Sequence, residues 1–284
     1  MRHVISRAIG YGVATILTLT LLIASVAAAP TDDSGLTDVD SCNGKNGASP
    51  DLQIQGCTAL LNSADNPKVL ALIYNNRGNG YIGKEQYDLA IKDYDEAIKS
   101  DPSDARAFNN RGVAYQKKDE YDRAIEDFDA AIKINPNYAD AFANRAETYQ
   151  KKGDYQSASK DFDEAIRLRP TLSALWNERC WTRTLVGEMP AALDDCNAAI
   201  RLMPNDPAPF DSRGLTYLKM NEWDSAIADY NAALKIDSKL ATALYGRGFA
   251  EIKKGNSASG NADIAAAKSA DPNIAEEFSR YGLK

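Results

Sequence analysis

The pentapeptide YNNRG at residues 74–78 returns as FNNRG at 108–112, and the interval of 34 residues is kept almost to the end of the chain. Counted in that step, the glycine lands on Gly78, Gly112, Ala146, Cys180, Gly214 and Gly248. A large apolar residue stands four earlier, at Tyr74, Phe108, Phe142, Trp176, Phe210 and Leu244. Alanine recurs without exception at Ala97, Ala131, Ala165, Ala199, Ala233 and Ala267. A second alanine recurs at Ala90, Ala124, Ala158, Ala192 and Ala226, then becomes Gly260. Proline closes five of the six units, and Ser238 stands in its place in the fifth. Six units therefore run in register, at 71–104, 105–138, 139–172, 173–206, 207–240 and 241–274. A strict period of this length points to stacked repeats, each burying its apolar face on its neighbours.

Each unit carries two helical patterns. In the first, Tyr74, Gly78 and Tyr81 share one face of a helix A, while Ala90, Ile91, Tyr94, Ala97 and Ile98 share one face of a helix B. Asp101-Pro102 ends helix B, because the residue before proline avoids helical backbone angles. Small residues let two helix backbones approach, and aromatics fill the remaining space. The period, the aromatic–Gly–Tyr spacing, the paired alanines and the closing proline resemble the tetratricopeptide repeat family over 204 of 284 residues. That resemblance implies an all-α, right-handed α-solenoid of antiparallel helix pairs, six 34-residue units with capping helices, whose helix A lines a concave groove. It also implies a protein-interaction scaffold, without naming a partner.

One departure from the family stands out. Its usual apolar residue is replaced by Arg77, Arg111, Arg145, Arg179, Arg213 and Arg247. Asp93, Asp127, Asp161, Asp195, Asp229 and Asp263 recur just as faithfully on helix B. Guanidinium and carboxylate at similar heights in a hairpin predict six partly buried pairs that fix helix register. A ligand-binding arginine ladder would carry no strict acidic companion, so the structural role is expected.

The N-terminus follows a different rule. Arg2 and Arg7 precede a charge-free apolar run from Ala8 to Ala24 and then ASVAAAP. Residues 1–28 read as a secretory signal peptide cleaved after Ala27 or Ala28. The alternative is a membrane anchor through 8–28. Cleavage removes His3, the sole histidine, and leaves 31 basic against 40 acidic residues, a formal charge of −9. No His-based triad, His general base or His-ligated metal is then available. The acidic balance argues against nucleic acid. No catalytic residues, cofactor or metal are expected, and the chain reads as a non-enzyme exported to a periplasm or secreted, with no membrane insertion once the signal is removed. A membrane-anchored structural protein of the envelope is the alternative.

Residues 29–50 read as a flexible linker, 51–70 as an N-terminal capping helix and 275–284 as a C-terminal one. Four cysteines in an exported chain predict two disulfides. Proximity favours Cys42–Cys57 and Cys180–Cys196, although the latter two positions read as about one helical turn from ideal facing; buried free thiols are the alternative. In the last unit Ser257 and Gly260 are expected to weaken helix B.

The groove stripe changes character along the chain. Early units offer Asn75, Asn79, Asn109 and Gln116, and later units Trp181, Leu185, Leu215, Leu218, Tyr245 and Phe249. Exposed, the later set marks a binding surface for a protein or peptide; otherwise it is packing between helices. Asn76, Asn110 and Asn144 are candidates for hydrogen bonds to a peptide backbone. Lysine is missing where some family members clamp a carboxylate terminus; that position holds Asn75, Asn109, Ala143, Asn177, Asp211 and Tyr245.

Overall fold

The computed structural model describes residues 37–283, so the signal-peptide and anchor readings lie outside the described residues. The fold is all-α and divides into two compact units, at Lys152/Gly153. The first holds α1 (Asp38–Cys42), α2 (Pro50–Leu61), α3 (Pro67–Gly83), α4 (Tyr87–Ser100), α5 (Ala105–Lys117), α6 (Tyr121–Ile134) and α7 (Ala139–Lys152). The second holds α8 (Tyr155–Leu168), α9 (Ser173–Val186), α10 (Met189–Leu202), α11 (Pro207–Lys219), α12 (Trp223–Ile236), α13 (Ala241–Lys253), α14 (Ser257–Ala270) and α15 (Ile274–Arg280). Within each unit, neighbouring helices pair as hairpins and successive hairpins stack. Among the described residues no helix is long and apolar enough to cross a membrane.

Local chemistry places the boundaries. Asn66, Asp104 and Asp206 accept hydrogen bonds from the first free backbone amides of α3, α5 and α11, and Pro67 and Pro207 open two of these helices. The turn from helix A to helix B needs one left-handed residue, and the period delivers it six times, at Glu85, Asp119, Gly153, Gly187, Asn221 and Gly255. Helix B ends in extended backbone at Asp101, Asn135 and Asp237, the last without a following proline.

The hairpin core is one small residue against one ring. A β-carbon on Gly78 would lie 2.6 Å from the Tyr94 ring, and one on Gly112 would lie 2.7 Å from Phe128. Cys180 and Cys196 occupy these same two positions in the fourth repeat and form a disulfide with a Cα–Cα distance of 5.4 Å. The two positions therefore face each other directly, not a turn apart, because the period that brings glycine onto a ring brings one sulfur onto the other.

Three further expectations change. The stretch 29–50 is not all linker: Thr37 caps α1, Ser41 and Cys42 are buried, and Cys42 is joined to Cys57 of α2. Gly56 permits this docking, since a β-carbon there would sit 2.6 Å from the Asp38 carbonyl oxygen. The first hairpin begins at Pro67 rather than 71, because Asn66 supplies the cap. The last helix B is intact: Gly260 faces Gly248 backbone to backbone, and this close approach is what its missing side chain provides.

Candidate functional site

Arg111, Arg179 and Arg213 are each a three-way tie. Five of the six expected pairs lie within one unit, and all five are bidentate. Arg111 donates from Nε and Nη2 to Asp127 at 2.8 and 2.7 Å, and Arg179 does the same to Asp195 at 2.8 and 2.6 Å. Arg77, Arg213 and Arg247 hold Asp93, Asp229 and Asp263 identically. The remaining Nη1 reaches back to the preceding repeat: Arg111 to Asp95, Arg145 to Asp129, Arg179 to Asp163, Arg213 to Asn197 and Arg247 to Asn231. Except in the last repeat, where Leu244 takes the ring's place, the guanidinium also stacks over its own repeat's aromatic, 5.7 Å from the Phe108 centroid and 5.0 Å from that of Trp176. Arg145 and Asp161 belong to different units. The arginines are thus engaged in holding repeats together. Burial pushes the Asp127 carboxyl up against the opposing pull of Arg111.

The asparagines of the first unit are engaged with one another. Asn76 donates to Asn43, Asn110 to Asn75 and Asn79, and Asn144 to the buried Asn109 at 2.9 Å. Gln116 donates to the Thr148 hydroxyl and the Asn144 carbonyl. Asn110 and Asn144 therefore spend amide hydrogens on the preceding helix A, which stacking brings within reach, and Asn76 spends one on the residue that ends α1.

The second unit is built differently. Thr184 and Thr216 hydroxyls meet at 2.6 Å where the first unit has its amides. Around them, Leu215 and Leu218 are buried in one cluster with Leu244 and with Ile274 and Phe278 of α15. Those two leucines are core, not exposed groove. Trp181, Tyr245 and Phe249 pack partly buried on the same cluster, and Leu185 is also half-buried. The Tyr245 ring lies 4.6 Å from that of Phe278, and Trp181 meets Tyr281 edge-on at 5.8 Å. Phe249 packs on Trp223, with the Lys253 ammonium over its face.

Sequence reasoning missed the polar members of this surface. Lys219 Nζ donates to the Tyr281 carbonyl at 3.1 Å, and burial holds its amine below the usual lysine range. Asp211 keeps slight solvent contact, but its Oδ1 is enclosed without a hydrogen-bond partner, as is the Tyr230 hydroxyl. Burial pushes the Asp211 carboxyl up to about 7; the adjacent Thr242 hydroxyl opposes the rise and the Glu277 charge adds to it. The available signal was a single aspartate in a stripe position otherwise held by amides, alanine or tyrosine.

Because the folded pKa of Asp211 exceeds the unfolded one, its penalty is full above pH 8 and is relieved as pH falls through 7 towards 4. Asp211→Asn is therefore expected to stabilise the chain at pH 8 by about 2–4 kcal/mol, with the gain fading by pH 5. Thermal melts of both proteins across that range check this; a pH-independent difference would refute it.

Among the described residues no cluster of His, Cys, Asp and Glu is arranged to hold a metal ion. Models of the tetratricopeptide repeat match residues 105–138 and 139–172, and 78–119 and 214–255. No curated protein sequence matches the chain. Among solved structures, a tetratricopeptide repeat protein from Parabacteroides merdae is similar at TM-score 0.64 and 19% identity, over 86% of this chain and 95% of that one. PilF of Pseudomonas aeruginosa is similar at 0.63 and 19%, over 76% and 99%. YrrB, a TPR protein with an unusual peptide-binding site, is similar at 0.52 and 21%, over 66% and 97%. The repeats over 78–172 and 214–255 belong to the tetratricopeptide repeat family. That fold supports a protein–protein interaction scaffold, and proteins of this kind are generally not enzymes.

Proposed function

We propose that this chain is an exported scaffold that binds a protein or peptide on the helix-A face of its second unit. The observation that carries this reading is the aromatic set Trp181, Tyr245 and Phe249, partly buried on a face that the first unit lines with amides. Trp and Tyr are enriched among the residues that dominate binding energy at interfaces. Two disulfides support an oxidising compartment, and the leader-like N-terminus supports export to a periplasm.

Affinity capture with the chain from residue 29 as bait tests the reading, beside a Trp181→Ala/Phe249→Ala variant of unchanged helical content. A partner held by the wild type should be lost with a penalty of about 2 kcal/mol or more. Equal capture by both proteins would move the site off this face.

A further inference from the structure

Residues 274–283 do more than cap the last repeat. A cap would touch only α13 and α14. Here Tyr281 meets Trp181 of α9, its carbonyl receives Lys219 of α11, and Phe278 packs on Tyr245 of α13. The segment thus runs along helix A of three successive repeats, on the face assigned above to a partner. Ile274 and Phe278, spaced i, i+4, are 0% and 2% exposed, so the seat is filled.

We propose that this seat is a docking surface for a helical segment of defined pattern: an aliphatic residue, an aromatic four positions on, a tyrosine three beyond, and a hydrogen-bond donor just before the aromatic. The chain's own Ile274–Leu283 is its resident occupant and gives way to a partner of that chemistry. This rests on the scaffold reading above.

The donor is specified by a defect in the resident fit. Glu277 stands just before Phe278, and its carboxylate, which accepts the Tyr281 hydroxyl, repels Asp211. Asp211 Oδ1 is buried with no hydrogen-bond partner. A buried acceptor that feels a like charge costs stability, and an amide or cation in place of Glu277 removes that repulsion. The resident segment is therefore a sound apolar match and a poor polar one, which is what makes it displaceable. Such a helix-in-groove partner is read from its spaced anchors.

The test uses two fluorophore-labelled peptides, residues 271–284 and the same sequence with Glu277→Gln, and follows anisotropy. They are titrated into the full chain, into its Phe278→Ala/Tyr281→Ala variant, and into that variant carrying Trp181→Ala, with helical content checked by circular dichroism. The Phe278→Ala/Tyr281→Ala protein should bind both peptides about tenfold or more tighter than wild type, since its seat is vacated. The Gln peptide should exceed the native one by about fivefold, and Trp181→Ala should abolish the gain. Hydrogen exchange of the wild-type chain with excess Gln peptide gives a readout without any variant: amides of 275–283 should exchange faster and those of α11 and α13 more slowly. Equal binding to wild type and variant, absence of binding to either, or no preference for Gln would overturn the proposal. So would a wild-type dimer dissolved by the double substitution, which would assign the seat to a second copy's tail. Loss of a captured partner on Trp181→Ala/Phe249→Ala, with no peptide binding, would leave the scaffold reading standing while this inference falls.

Discussion

Replacing Arg111 by alanine is expected to destabilise the first unit by about 3 kcal/mol, a melting shift of roughly 10 °C. The substitution strands Asp127, whose side chain is only 7% exposed, and it removes the reach to Asp95 and the stacking on Phe108. The cost of such a change is mostly the penalty of a buried charge left alone, not the net worth of the pair. The loss should therefore be greater at pH 8 than at pH 5, because an unpaired buried aspartate can take a proton at the lower pH. Arg111→Met with Asp127→Leu should recover most of it. Thermal melting and hydrogen exchange across α4 to α6 provide the measurement; an alanine variant as stable as wild type would remove the structural role assigned to the arginines. Since repeats are stabilised by their nearest neighbours, protection should fall first in the hairpins that Arg111 joins.

Breaking Cys180–Cys196 is expected to cost a similar amount, by a different route. The bridge spans 16 positions and closes a loop worth about 3 kcal/mol in the chain-entropy account. Cys180→Ala/Cys196→Ala would also leave unfilled the space that a ring occupies elsewhere. The other repeats supply the remedy: Cys180→Gly/Cys196→Phe recreates the contact of Gly112 with Phe128, and should regain more than half of the loss in oxidising buffer. Under strong reductant the Gly/Phe protein should melt above the wild type. Failure of that variant to outlast reduced wild type would mean the fourth hairpin is not interchangeable with its neighbours. Loss of Cys42–Cys57 should be milder for the repeats, because it frees α1 from α2 at the end of the first unit.

The hairpins and their contacts were legible because they repeat. A residue found at one phase of a 34-residue period meets the same neighbour every time, so the Arg–Asp pairs and the glycine-on-ring contacts could be inferred from one hairpin's geometry. The facing of Cys180 and Cys196 was misjudged only because helical spacing within each helix was considered without the register between them. The parts outside the period were read poorly. The short α1 has no pattern of its own and is held by a disulfide, a cap and the bare face of Gly56.

By itself, then, the sequence determined the all-α repeat architecture, the pairing of arginine with aspartate inside a hairpin and a helix-A stripe that turns from amides to aromatics. These follow from local chemistry and a short period. Tertiary structure alone decided that the asparagines bond to each other, that Leu215 and Leu218 are core, and that Phe278 and Tyr281 reach α13, α11 and α9. Those relations join residues tens of positions apart at no fixed interval. Burial of that kind is set by how segments meet in space, and no spacing along the chain encodes it.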